Sequence, residues 1–236
     1  MADAPAFRKH DRYKASSYRA YNFKMPKRYD SSFWMSFCQV PLCDRTVMTE
    51  VGPEIDSLRI LDVGCATGRL LLSLASAGGK DLSGVDIAPR ILEVAHQKLA
   101  AAQVSAELRA ADAEDAIPWP SESFDVATLT GVLHHFYRPY DALQEIGRVL
   151  RPGGRIILID PCLFVPVRQL VNLALRAAPH DGDFRFYSPR GAARIVEKVA
   201  FRCSEVRRVG LWTYLIVAVR GDKDTWHPAH PPVSSA

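Results

Sequence analysis

Ile60-Leu61-Asp62-Val63-Gly64-Cys65-Ala66-Thr67-Gly68-Arg69 decides the fold. An apolar run suited to a buried strand ends in a turn of small residues, and the leucine-rich stretch 70–77 follows with helical spacing. Small residues let the backbone come close to a ligand, and a helix that starts there offers unpaired N–H groups. A G-x-G-x-x-G dinucleotide pattern needs small residues at 64, 66 and 69, but position 69 is arginine, whose bulk is expected to obstruct helix–strand packing. Asp62 argues the same way, because a carboxylate beside the turn repels phosphates and suits a cationic ligand.

Outward from this turn, short apolar runs alternate with helix-length periodic segments, the pattern of strands and helices around a parallel sheet. Strands are expected at 59–63, 82–86, 105–110, 124–130 and 154–160. Helices are expected at 89–102, opened by Pro89, and at 139–150, with Asp141 early and Arg148 late. Arg151-Pro152-Gly153-Gly154 reads as the stop of that helix and a turn into the next strand. Beyond Asp160 comes an apolar helix near 164–177, then Ser188-Pro189 as cap and first turn of another. Two β-rich runs, 202–209 and 212–219, read as an antiparallel hairpin. The expected architecture is α/β: a Rossmann-like, seven-stranded, mostly parallel sheet with helices on both faces and an antiparallel C-terminal hairpin. Residues 1–54 are read as an N-terminal extension and lid, 55–220 as the main domain with a cap inserted at 160–190, and 221–236 as a disordered tail.

With 236 residues, 48% hydrophobic and 24% charged, the chain is long enough for one domain with extensions. Its net charge of +4 is mild, so it permits nucleic-acid binding without arguing for it. No run is apolar enough to span a bilayer, even Leu163 to Leu175, which Pro166, Arg168, Gln169 and Asn172 interrupt. Five cysteines without C-x-x-C spacing, and a start (MADAPAFRKH) without a signal-peptide apolar stretch, make free thiols and a cytoplasmic location the expectation. No metal site is expected.

Asp86, ending Gly84-Val85-Asp86-Ile87, stands where a carboxylate accepts hydrogen bonds from both hydroxyls of a ribose. Asp112, in Ala111-Asp112-Ala113, is offered to an adenine amino group. ILDVGCATG, GVDIA, AADAED, FDVATLTGVLHH and LRPGGRIILID together resemble, in order and spacing, the motifs of class I S-adenosylmethionine-dependent methyltransferases. The resemblance covers roughly residues 55–220 and is nearest the small-molecule branch of ubiquinone and menaquinone biosynthesis. It implies S-adenosylmethionine as cofactor, S-adenosylhomocysteine as product and a small-molecule methyl acceptor. It also implies that Asp62, Gly64, Cys65 and Gly68 line the methionine and ribose portion, with Ala66 in the same turn. Asp86 with Ile87 would serve the ribose, Asp112 and Ala113 the adenine, and Thr130 with Gly131 the methyl-bearing end. Ala66 departs from the family, which most often has glycine there, so its methyl group must fit without forcing positive φ.

Each residue also has a plainer reading. Gly64 and Gly68 can simply make a tight turn, and Asp86 or Asp112 can cap helices. His135, with His134 beside it, is the candidate base for a hydroxyl or amine acceptor, or one ring only anchors the loop. Tyr18, Tyr21 and Tyr29 are read as part of a lid, or of a helix packed outside the sheet. The segment 163–175 is read as a cap over an aromatic or lipophilic acceptor, or as core packing or a homodimer contact. Two other functions stay open: a methyltransferase directed at RNA or another macromolecule, and a catalytically silent scaffold that binds the nucleoside.

Overall fold

A computed structural model of the chain describes residues 12–24, 40–177, 182–199 and 201–221. Tyr29 and the tail from residue 222 onward lie outside them. One seven-stranded sheet carries the fold: β1 (Arg59–Val63), β2 (Asp81–Asp86), β3 (Glu107–Ala110), β4 (Phe124–Thr130), β5 (Leu150–Pro161), β6 (Phe201–Val209) and β7 (Thr213–Arg220). The spatial order is β3-β2-β1-β4-β5-β7-β6. β1 to β5 run parallel, while β7 pairs antiparallel with both β5 and β6, as the expected hairpin requires.

Both faces are buried, and the alternation of side chains along each strand shows why. On one face Leu61, Ala127, Leu129, Ile156, Leu158 and Ile216 pack against α5 (Pro139–Val149) and α7 (Pro189–Glu197). On the other, Ile60, Val126, Ile157 and Leu215 meet α2 (Val40–Val51), α3 (Arg69–Ser76) and α4 (Pro89–Ala101). The central strands therefore read as near-continuous apolar runs, and β1 and β4 begin and end where the sequence places them.

Three details differ from expectation. β5 begins at Leu150, because Leu150 already pairs with Phe124 before the register jumps to Val126 opposite Arg155. Arg151 to Gly154 are thus a bulge inside the strand, with Gly153 at φ +75°, rather than a turn ahead of it. β3 is shorter, opening at Glu107. The helix α6 (Val165–Ala177) is present, but it buries only Leu175. Phe164, Val165, Leu170 and Leu173 face solvent.

α1 (Arg12–Arg19) and the π-helical turn Ala20–Lys24 after it form the described part of the N-terminal extension. They dock on α4, where Asn22 Oδ1 accepts the Arg90 N–H at 3.0 Å, supplying an acceptor to a helix start that has no side-chain cap of its own. No helix among the described residues is long and apolar enough to cross a membrane.

The start of α7 is set by Ser188, whose Oγ accepts the Gly191 N–H at 3.1 Å ahead of Pro189. Replacing Ser188 with Ala is expected to lower stability by about 1 kcal/mol, read as a shift of the urea midpoint at unchanged slope.

Candidate functional site

The order of the strands reverses between β1 and β4, so the connections leaving their carboxyl ends part company and open a crevice. The turn after β1 forms its floor. Gly64 and Cys65 both donate their N–H groups to the Val85 carbonyl, at 2.7 and 3.1 Å, which folds the turn back over the end of β2. Gly64 lies at φ +71°, and a Cβ there would stand 2.6 Å from Val132 Cγ2, so both backbone angle and space demand glycine. Ala66 also takes positive φ, +46°. The expectation that its methyl group would avoid this region is corrected: the turn imposes left-handed backbone on a residue with a Cβ.

Asp86 ties the site together. Its Oδ2 accepts the Ala66 N–H at 3.0 Å and its Oδ1 accepts the Ala88 N–H at 2.9 Å, joining the turn after β1 to the residue that opens α4. Burial pushes its carboxyl up to about 6, against the two backbone donors, which pull it down. The capping reading and the ligand reading meet at one residue, since each carboxylate oxygen retains a lone pair toward the cleft.

The cleft has a volume of about 690 Å³, including its open mouth. Of the residues singled out from sequence, it brings together Gly64, Ala66, Asp86, Ile87, Asp112, Ala113, Gly131 and His135. Five others stand outside its wall. Asp62 is buried behind it, accepting the Thr128 hydroxyl at 2.8 Å, and burial lifts its carboxyl to about 7, so it does not present a bare charge to the cleft. Cys65 turns to the opposite face, against Gly84 and Leu108. Gly68, at φ +72°, gives α3 close approach to Ala95 of α4. Thr130 ends β4 with its hydroxyl buried, and His134 lies behind His135. The bulk of Arg69 does not obstruct packing, because its guanidinium leaves the turn to pair with Asp44 on α2.

Two charged wall residues were not legible as site residues. Lys14 of α1, almost fully buried, places its ammonium 2.5 Å from Asp112 Oδ2, 3.5 Å from Glu114 and 3.6 Å from Asp115. Burial alone would lower its pKa, but the Asp112 contact and the surrounding acids hold it above the usual lysine value. Glu114 accepts the N–H groups of Tyr137 and Arg138 at 2.8 and 3.1 Å, which orients the chain entering α5, and burial raises its pKa. Asp112 Oδ1 accepts the Glu114 N–H at 2.9 Å. Acids Asp86, Asp112 and Glu114 against the single cation Lys14 leave the wall net negative, which suits a cationic ligand.

Across the cleft, the short 3-10 turn Leu133–His135 carries the histidine pair. The Tyr21 hydroxyl lies 3.2 Å from His135 Nε2, with the rings edge to face. Burial, reinforced by His134, pushes the His135 pKa well below the usual range, with the Gly182 backbone opposing in part. His134 Nδ1 lies 2.9 Å from Asp160, and its ring stacks on Phe186. Burial favours neutral His134, yet the Asp160 charge outweighs it and raises the pKa.

A parallel sheet with a crevice at its switch point, acids at or just beyond the ends of β2 and β3, and a glycine turn after β1 define a Rossmann-like α/β domain with its cleft where such sheets bind ligands. Residues 61–158 match the family model described as methyltransferase domain. Among curated proteins, the demethylmenaquinone methyltransferase of Thermus thermophilus is 38% identical over 103 residues, 43% of this chain and 46% of that protein. A ubiquinone biosynthesis O-methyltransferase of Xanthomonas oryzae pv. oryzae is 31% identical over 139 residues, 56% of this chain and 58% of that protein. The chain spans about half the length of the curated relatives it matches. In fold, an S-adenosylmethionine-dependent methyltransferase from Aquifex aeolicus superposes with a TM-score of 0.65 at 21% identity, covering 82% of this chain and 96% of that one.

Lys14 is the ionic tie between α1 and the cleft. Lys14→Met is expected to undock α1, raising amide exchange over residues 14–19 toward that of an unstructured segment while β1 and β4 stay protected. Unchanged protection of α1 would assign its docking to apolar contacts instead.

Proposed function

We propose that this chain transfers the methyl group of S-adenosylmethionine to a small, apolar or aromatic molecule in the cytoplasm. The observation that carries the reading is Asp86: a buried carboxylate at the carboxyl end of β2, held by two backbone donors, on the wall of the switch-point cleft. The donor set fits a nucleoside. Asp86, beside Ile87, offers acceptors to ribose hydroxyls, and Asp112 with Ala113 offers an acceptor and an apolar wall to adenine. Gly64 and Ala66 receive the methionine portion, supported from behind by Asp62, Cys65 and Gly68. Gly131, following Thr130, leaves open space at the methyl-bearing end, where a Cβ would meet nothing within 4 Å.

S-adenosylmethionine supplies a methyl group on a sulfonium, an electrophile that needs little chemistry from the protein. The chain's task is to fix donor and acceptor within about 3.5 Å in line and to exclude water. Tyr21 and Lys14 close the cleft from the N-terminal side. His135 is the catalytic imidazole on the acceptor side, with His134 behind it. The relatives' names, covering quinone-biosynthesis and other small-molecule methyltransferases, support a small acceptor over a macromolecule.

Two measurements test the proposal. Calorimetric titration with S-adenosylhomocysteine should show binding that weakens as pH falls through about 6, because Asp86 then gains a proton, loses its charge and becomes the weaker acceptor. Ribose hydroxyls stabilise the charged form, so binding in that range should release a proton, and Asp86→Ala should weaken affinity by roughly ten- to a hundredfold. No binding at any pH would overturn the reading. Once a phenolic or quinol acceptor is found by labelled methyl transfer, His135→Gln should lower turnover by about a hundredfold and change S-adenosylhomocysteine affinity by less than about threefold. Equal turnover would remove His135 from the mechanism.

A further inference from the structure

At the cleft wall, the adjacent His134 and His135 converge with Asp183, some fifty residues further along the chain. His134 Nε2 and His135 Nδ1 lie 3.6 and 3.4 Å from the same oxygen, Asp183 Oδ1, and the three atoms are all within 4.8 Å of one another. Four-coordinate ions with metal–nitrogen bonds near 2 Å set neighbouring ligand atoms about 3.3 Å apart, close to the two measured separations. Two imidazoles and a carboxylate form a donor set suited to a divalent first-row ion.

The surroundings match what such a centre needs. A metal-bound histidine generally gives its other N–H to a carboxylate, which fixes the tautomer and aims the lone pair. His134 has this partner in Asp160, fully buried on β5, at 2.9 Å from Nδ1. With that proton on Nδ1, the Nε2 lone pair faces Asp183 Oδ1, and two acceptors so placed require a cation between them. His135 has a comparable outer partner, the Tyr21 hydroxyl on Nε2. Asp183 is one-quarter exposed, leaving a route for an ion to enter.

We propose that His134, His135 and Asp183 bind one divalent transition-metal ion of the zinc class, with Asp160 and Tyr21 orienting the two imidazoles. This replaces the expectation that the chain has no metal site. The ion sits one imidazole behind the cleft, sharing His135 with its wall, and pins the segment around Asp183 to the end of β4.

The test uses the full chain, stripped with a chelator and dialysed against Zn²⁺, with metal counted by mass spectrometry, alongside a Co²⁺ titration followed by visible absorption. One ion per chain is expected, with Co²⁺ bands of a low-symmetry nitrogen and oxygen site. Asp183→Asn should weaken binding at least tenfold, and Asp160→Asn by roughly ten- to a hundredfold although it touches no metal. Replacing His227 and His230 of the tail should leave binding unchanged, which separates the site from adventitious capture. Zn²⁺ should also raise the unfolding temperature of the wild type and not of Asp183→Asn, whose own cooperative unfolding transition without metal shows that this variant folds. No stoichiometric ion, or Asp183→Asn and Asp160→Asn binding like the wild type, overturns the proposal and leaves a proton as the cation between the groups. Titration with S-adenosylhomocysteine is independent of either result, so failure here and failure of the methyl-transfer reading are distinguishable.

Discussion

The architecture of the cleft depends on one carboxylate. Asp86 ends β2 buried in the cleft wall, and its two oxygens are taken up by the N–H groups of Ala66 and Ala88. A buried charge persists only where donors replace its hydration, so the two connections that leave β1 and β2 must bend until their amides reach it. Gly64 with its N–H on Val85, and Ala66 in left-handed backbone, are the form that bend takes. The same contacts that stabilise the carboxylate narrow the crevice floor, leaving room for backbone approach and none for a side chain at 64.

This dependence explains what sequence reading could and could not reach. β1 and β4 are apolar on both faces because helices cover both, so their limits follow from hydrophobicity alone. The Ser188-Pro189 start of α7 is a local signal, a hydroxyl and a fixed φ, and the structure uses both. Arg151 to Gly154 misled because a bulge and a turn share the same residues. Only pairing across the sheet, Phe124 with Leu150, tells them apart. Arg69 misled for a related reason: its bulk matters only if the side chain points inward, and Asp44, twenty-five positions earlier, draws it out.

The acids show the same limit in electrostatic form. Asp62, Asp86 and Asp112 look equivalent in sequence, each close to the carboxyl end of a strand. Their environments separate them: Asp62 faces Thr128 behind the wall, Asp86 faces backbone amides, and Asp112 faces Lys14. The negative face of the cleft is completed by Glu114, which no motif singles out, and balanced by Lys14, one cation among many in a basic segment. Asp112 thus ties the N-terminal segment to the cleft wall, with Lys14 on one oxygen and the Glu114 N–H on the other.

The acceptor side is the least legible part, and the histidine pair shows why. Adjacent residues on a 3-10 turn are about 120° apart, yet the His134 and His135 rings lie side by side, 4.1 Å between centroids, and differ in what their outer nitrogens meet. One ring goes back to Asp160 of β5 and the other to the cleft and Tyr21. What holds the pair is remote: Phe184 and Arg185 both donate backbone N–H groups to the His134 carbonyl, and Phe186 lies flat on its ring. Asn172 of α6 in turn holds the Phe186 backbone through both its amide groups. Residues 182–188, ahead of α7, therefore act as the clamp on the histidine pair, while α6 presents its apolar residues outward. A loop that reaches the histidine pair through backbone atoms, the Phe186 ring and the Asp183 carboxylate leaves no periodic trace, so the turn and the acids after β1 to β3 are legible in the chain and the groups facing them are not.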